Sequence, residues 1–367
     1  MKPVRTVLLS FGLGTGHAQV ATNLANALAP LGHACKHNPL EGWVPWDYDL
    51  LFRHGYLFLI LKFPGVWDAM YHSEGFAQRD HLAPPVMRGR AIRAFEASGM
   101  GDTDLVVATQ YNAMEIVADW KRETGRPLKL AAVVTDYDIY PLWARQEVDL
   151  FLVPHVKQAR LLEEKGVEPK KISVTGIPIA PAFGEHHDRA AIRSALFSDL
   201  GLDGALRTAM VFGGGGGMGP LRESAAAILD LAEWQVILVC GKNDRLRRKS
   251  ISLARANPER LRVLGYRTDI PALMLASDVV VTKAGALSLT EALSCGARVI
   301  VIPSLSGQEK VNIAFMVGEG WTEESRTPAD LPKLLQGGRA TKGPGAGAFP
   351  GALATLAAQA LDRLARG

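Results

Sequence analysis

The sequence predicts an α/β protein built from two doubly wound domains, and three observations carry that prediction. Short runs rich in Val, Leu and Ile alternate with stretches of helical periodicity along most of the chain. The alternation restarts near the middle, so the same scheme is written twice. Each half also opens on an apolar run, a glycine-rich loop and a helix-like run. Continuous apolar runs of this kind suit parallel strands covered on both faces, with the intervening helices as the cover.

Taken in order, VRTVLLS reads as the first strand, FGLGTG as the loop after it, and HAQVATNLANALAPLG as a helix ending at Gly32. HACKHN is a further strand-like run. DLVVAT, LKLAAVVT, VDLFLVP and KISVTG continue the first half, each followed by polar or helical sequence. Residues 43–98 break this rhythm. WVPWDYDLLFRHGYLFLILKFPGVWDAMYHSEGF is dense in aromatic and aliphatic residues with Arg53, Lys62 and Arg79 interspersed. It reads either as helices adding to the core of the first domain or as a surface that touches lipid, where Trp and Tyr favour the headgroup region. Two prolines in Ile177-Pro178-Ile179-Ala180-Pro181 leave an extended connection that serves as the hinge. The second half then runs through RTAMVF, QVILVC, RLRVLG, DVVVT and ARVIVIP. The expected division is a first domain at 1–178, a second at 179–345, and a terminal amphipathic helix within 346–367 packing back on either domain.

The composition narrows the classes. With 48% hydrophobic and 21% charged residues among 367, the chain can bury a core and is not a disordered one. No run approaches the roughly 18 apolar residues of a membrane span, and no signal-peptide core precedes the first glycine-rich loop, so a cytoplasmic location is expected. Cys35, Cys240 and Cys295 lack metal-ligand spacing and are assigned no chemistry. A net charge of +4 is too small to indicate a nucleic-acid partner. The densest basic run, Arg245-Leu246-Arg247-Arg248-Lys249, reads as the solvated face of a helix, with a phosphate or lipid contact as the lesser reading. His186 and His187 read as solvated linker residues, and no metal site is expected.

The most informative segment is Gly213-Gly214-Gly215-Gly216-Gly217-Met218-Gly219-Pro220, between the strand-like RTAMVF and the helix-like LRESAAAILDLAE. Without Cβ atoms, successive N–H groups can turn toward one anion, and the helix behind them adds unpaired N–H groups and the positive end of its dipole. Pro220 is expected as the first helical residue. Ligands in open parallel sheets bind beyond the carboxyl ends of strands, and three more segments fall there. Gly12-Leu13-Gly14-Thr15-Gly16-His17 brings an imidazole to a helix start, with glycine spacing unlike a dinucleotide fingerprint. Asp136, in Thr135-Asp136-Tyr137-Asp138, is either a turn aspartate or a catalytic one. Thr282-Lys283-Ala284-Gly285-Ala286-Leu287-Ser288-Leu289-Thr290-Glu291, followed by Gly307-Gln308-Glu309-Lys310-Val311-Asn312, could complete a nucleotide site.

GLGTGH, VVTDYDIYPLW, VDLFLVP, ISVTGIPI, FGGGGGMG, TKAGALSLTEAL and IPSLSGQEKVN occur in that order from about residue 4 to residue 320. Together they resemble the monogalactosyldiacylglycerol synthases and bacterial processive diacylglycerol glucosyltransferases and, more distantly, the enzyme that completes the lipid-linked peptidoglycan disaccharide. The resemblance implies a GT-B fold of two Rossmann-like domains facing a cleft, the first for a membrane acceptor and the second for a UDP-sugar. It implies transfer of a hexose to diacylglycerol with inversion, by a protein held peripherally on the inner face of the cell membrane. UDP-glucose or UDP-galactose would be the donor, with no cofactor. Carried over by position, Gly213 to Gly217 would meet the diphosphate and Glu291 the ribose. Lys283, Ser288 and Thr290 share that motif, Gln308 and Asn312 would lie near the sugar, and Tyr266 and Arg267 beside the uracil. Asp136 is the expected base and His17 the group that orients it or shares its proton, with the reverse assignment also open. The family's Gly-Gly-Gly-His stands here as Gly12 to His17, its Lys-Pro-Gly-Gly as Lys283-Ala284-Gly285-Ala286, and a customary histidine as Tyr140. These departures bear on the acceptor more than on the donor. Rival readings are a polyprenyl-linked or soluble acceptor, a UDP-N-acetylglucosamine 2-epimerase-like enzyme, and a silent nucleotide-sugar-binding module.

Overall fold

A computed structural model describes residues 2–12, 15–71, 73, 81, 83–184, 188–302, 307–337 and 354–367. Leu13, Gly14, Arg79, His186, His187, Pro303 to Ser306 and the glycine-rich stretch 338–353 lie outside the described residues. The chain divides into two compact units, one of residues 1–180, 306–308 and 350–367, the other of 181–305 and 309–349.

The first unit is a six-stranded parallel sheet in the order β2-β1-β3-β4-β5-β6. Its strands are β1 (Val4–Leu9), β2 (His33–His37), β3 (Leu105–Ala108), β4 (Lys129–Val133), β5 (Leu150–Val153) and β6 (Ile172–Val174). The central strand β3 is buried along its whole length, as its unbroken LVVA requires. Helices α1 (Gly16–Leu28), α6 (Tyr111–Thr124) and α7 (Val156–Glu164) make the crossovers. Residues 43–98 fold as α2 (Trp46–Asp49), a π-helical turn at Leu50–Gly55, α3 (Tyr56–Lys62), α4 (Pro64–Tyr71) and α5 (Pro85–Ala97). Of these, α5 lies along α6, where Phe95 meets Trp120 edge-on at 5.2 Å.

The second unit repeats the design in the order β12-β11-β10-β7-β8-β9, again wholly parallel. Its strands are β7 (Arg207–Phe212), β8 (Trp234–Val239), β9 (Leu261–Leu264), β10 (Val279–Thr282), β11 (Arg298–Val301) and β12 (Glu323–Glu324). Helices α8 (Arg189–Leu200), α9 (Leu221–Leu229), α10 (Asp244–Ala256), α11 (Ile270–Ala276), α12 (Ala286–Ser294), α13 (Gln308–Gly318) and α14 (Leu331–Gln336) surround it. Numbered within the unit, this order is 3-2-1-4-5-6, the doubly wound arrangement whose strand order reverses between β7 and β10. Pro220 is not the first helical residue. Its ψ of 55° puts it outside the helix as the N-cap, and α9 starts at Leu221.

The terminal helix α15 (Ala354–Arg366) belongs to the first unit and packs along α1. His33 Nε2 meets Asp362 Oδ1 at 2.9 Å, and Arg366 donates to the carbonyl of Leu31 at 2.6 Å. The basic pair holds the Asp362 carboxyl below its usual range, against the opposing effect of its own burial.

Candidate functional site

Each sheet places some of its candidate residues where its strand order reverses. In the first unit that place lies between β1 and β3. His17, in the first turn of α1, has Nδ1 2.8 Å from the carbonyl of Thr109, directly after β3, and 3.0 Å from Thr135 Oγ1, after β4. A carbonyl only accepts, so Nδ1 carries a proton, and the tautomer this selects has its lone pair on Nε2. Thr109 fixes the loop further by donating its hydroxyl proton near the carbonyls of Leu9 at 3.2 Å and His17 at 3.0 Å. Asp136 follows Thr135 and is partly exposed at the same end of the sheet. The sequence did not mark Glu41, whose carboxylate lies so close to Gly12 that a Cβ there would sit 2.7 Å from Oε1.

In the second unit the glycine loop leaves β7 and the Lys283 loop leaves β10, one on each side of the reversal. Gly214 and Gly217 have φ of 69° and 57°, and the N–H groups of Gly217 and Met218 fold back onto the carbonyls of Gly214 and Gly213, both at 3.0 Å. The loop is braced from the β8–α10 connection. Lys242 N–H donates to Gly215 O at 2.9 Å, and Asn243 Nδ2 donates to Gly217 O at 3.0 Å. The amides of Gly214, Gly215 and Gly216 donate to no described residue, which leaves three adjacent N–H groups beside the start of α9.

The other donor-side candidates differ in how they are held. Lys283 has its Cε 4.0 Å from where a Cβ of Gly214 would stand, and its ammonium pairs with Glu309. Glu291, on α12, is 7% exposed, its carboxyl makes no hydrogen bond among the described residues, and burial pushes its pKa up to about 8. Thr290 donates its hydroxyl proton to Ala286 O at 2.8 Å within the same helix, and Ser288 is half-buried in the first turn of α12. Asn312 is fully buried and ties α13 to the Lys283 loop by donating to Ala284 O at 3.2 Å. Gln308 opens α13 but groups with the first unit, so it is not gathered into this cluster. Tyr266, 58% exposed after β9, is covered on one side by the Lys242 ammonium 5.4 Å from its ring centroid. Arg267 is turned away into a two-pronged pair with Asp269, at 2.8 and 2.5 Å, which lowers the Asp269 pKa. Lys242 was not singled out from the sequence, where it is one of many lysines.

A second polar group lies inside the first unit. Glu115 and Asp119 are buried on α6, with His81 Nδ1 2.8 Å from Glu115 Oε1. Arg122 pairs with Asp119 at 2.6 Å, Arg88 approaches at 3.4 Å, and Arg145 pairs with the same carboxylate. Three guanidinium groups around one carboxylate make this an ion network rather than a cation site.

Residues 17–179 match the model of the family described as monogalactosyldiacylglycerol (MGDG) synthase, and residues 208–321 match the glycosyltransferase family 28 C-terminal domain. The processive diacylglycerol beta-glucosyltransferase of Bacillus pumilus is 29% identical over 328 residues, 86% of this chain and 82% of that protein. Monogalactosyldiacylglycerol synthase 1 of Arabidopsis thaliana is 26% identical over 304 residues, 80% of this chain and 54% of its own length. Among solved structures, MurG of Acinetobacter baumannii superposes with a TM-score of 0.60 at 14% identity, covering 99% of both chains. That likeness concerns the fold, which is GT-B: two parallel-sheet Rossmann-like domains.

Proposed function

For this chain, similar in its two halves to monogalactosyldiacylglycerol synthases and family 28 glycosyltransferases and along most of its length to processive diacylglycerol glucosyltransferases, we propose transfer of a hexose from a UDP-sugar to diacylglycerol or a related membrane lipid, with inversion at the anomeric carbon. The observation that carries the donor half is the braced glycine loop at the strand-order reversal, with three adjacent amides aimed at no described acceptor. Those amides, the start of α9 and the Lys283 ammonium would hold the diphosphate and stabilise the charge it gains on leaving. Glu291 would accept hydrogen bonds from the ribose hydroxyls, and the exposed Tyr266 ring would stack on the uracil. Asn312 would act by fixing the Lys283 loop.

The acceptor hydroxyl must lose a proton as it attacks the anomeric carbon from the face opposite the departing UDP. Of the two assignments open from the sequence, the proton on His17 Nδ1 favours Nε2 as the base, and on that assignment Asp136 would stabilise the imidazolium. A membrane-borne acceptor fits the surface of the first unit. Trp46 is 72% and Phe58 58% exposed, with Leu50, Leu51, Phe63 and Val66 also exposed on the same run of helices, and such side chains favour the lipid interface. On this reading the protein is peripheral, bound at the inner face of the cell membrane. No described helix is long and apolar enough to cross a membrane.

The test is a screen of UDP-sugars against mixed lipid acceptors, reading both UDP release and glycolipid product. His17→Ala is expected to lower kcat by about 10²- to 10⁴-fold while leaving UDP affinity unchanged, and Asp136→Asn by a similar or smaller factor. If both variants transferred hexose at the parent rate with intact folding, the base assignment would be wrong. UDP-sugar binding without turnover on any acceptor would favour the silent binding module.

A further inference from the structure

The transfer reaction gives no role to the basic run that starts at Arg245. In the fold it forms the first turns of α10, which turns Leu246, Leu253 and Ala254 toward the core of the second unit and buries Ser250. At about 100° per residue, Arg245, Arg248, Lys249, Ser252 and Arg255 fall on the opposite face, and all five are exposed. Arg247 pairs with Asp244 at 3.6 Å. Arg245, Arg248, Lys249 and Arg255 make no ion pair among the described residues, and the one acid of the helix, Asp244, falls beside Arg248 and Arg255 but is engaged by Arg247. Four cations without an ion pair among the described residues thus lie along about 15 Å of helix, in a chain whose net charge is only +4.

We propose that this face of α10 binds the headgroups of an anionic phospholipid bilayer, giving the second unit a membrane contact of its own. The choice of a bilayer among polyanions rests on the lipid-acceptor reading above, and two features of the helix agree with it. Ile251, 43% exposed at the edge of the basic face, suits the boundary between headgroups and acyl chains. α10 carries no aromatic side chain on which a nucleic-acid base could stack. The contact is electrostatic, so it strengthens with the anionic fraction of the membrane and weakens with salt.

The experiment is flotation of the whole chain with phosphatidylcholine vesicles, with and without phosphatidylglycerol, at low and high salt. Wild type is expected to bind the anionic vesicles more tightly and to lose that advantage in salt. Each lost cation should weaken binding about fivefold, so combining Arg245→Gln, Arg248→Gln, Lys249→Gln and Arg255→Gln should cost about two to three orders of magnitude at unchanged Tm. The charge-keeping set Arg245→Lys, Arg248→Lys and Arg255→Lys should bind as wild type does. Equal binding of the four-glutamine variant and wild type would overturn the proposal, as would loss of binding in the lysine set. Preferential capture of random-sequence duplex DNA through this face would overturn it in favour of a nucleic acid. If wild type floats through this face yet transfers hexose to no lipid, the surface stands and the lipid-acceptor reading falls.

Discussion

Replacing Gly217 by alanine tests the diphosphate cradle through its geometry. Gly217 has φ of 57°, and a Cβ built on it would stand 2.0 Å from the carbonyl oxygen of Cys240 and 2.9 Å from Asn243 Cβ. The left-handed conformation costs alanine about 1–2 kcal/mol, and relieving an overpacked contact costs about 1–3 kcal/mol more. The obstacle is backbone, so the loop must move, and movement gives up the bonds from Lys242 N–H to Gly215 O and from Asn243 Nδ2 to Gly217 O. A loss of about 3 kcal/mol lowers Tm by roughly 6–12 °C on the scale for domains of this size. Gly216→Ala is the internal control. Its φ is not positive, and the new methyl would meet only the flexible Met218 side chain at 3.6 Å. Differential scanning calorimetry and isothermal titration with UDP should therefore separate the pair. Gly217→Ala should lose both stability and at least tenfold in UDP affinity, whereas Gly216→Ala should keep its Tm. A Gly217→Ala protein with parental Tm and parental UDP affinity would refute the cradle.

Three further outcomes follow from buried and exposed groups. Glu291 has a folded pKa pushed up to about 8 by burial, above its unfolded value, so its contribution is complete at acid pH and is lost as pH rises from about 4.5 through about 8. Glu291→Gln should flatten the fall in Tm between pH 5 and pH 8 and weaken UDP binding, and an unchanged pH slope would show that Glu291 is not buried as described. Asp119→Ala strips Arg145 and Arg122 of a fully buried partner and should cost about 3–5 kcal/mol in chemical denaturation; a cost under about 1 kcal/mol would mean the network relaxes. Trp46→Ser with Phe58→Ser should lower partition onto neutral vesicles by about tenfold or more, from the apolar area withdrawn from lipid, while leaving UDP binding unaltered in titration calorimetry.

The parts of this molecule that were legible in its sequence are those whose causes are local. RTAMVF is a strand over the residues read for it, Arg207–Phe212, because a short run buried from Thr208 onward, with AMVF apolar, needs no distant partner to be recognised. The turns of the glycine loop were legible for the same reason, since only glycine takes φ of 69° and 57° at little cost. What could not be read is set by residues brought together from afar. The proton on His17 Nδ1 is placed by a carbonyl 92 positions away, and the bracing of Gly215 depends on Lys242, whose backbone rather than side chain does the holding. Strand order is of this second kind as well. Nothing local in the glycine loop or the Lys283 loop says that β7 and β10 are neighbours, yet that adjacency alone sets Lys283 against Gly214. The family resemblance supplied Glu291 as a residue to watch, but its burial, and hence the pH dependence expected of it, comes from the packing of α12 against the sheet. A glycine loop marks a place where an anion can be held; the crossover that sets Lys283 against it, with Glu291 on the helix that follows, is what would make that place specific for a nucleotide under the proposed function.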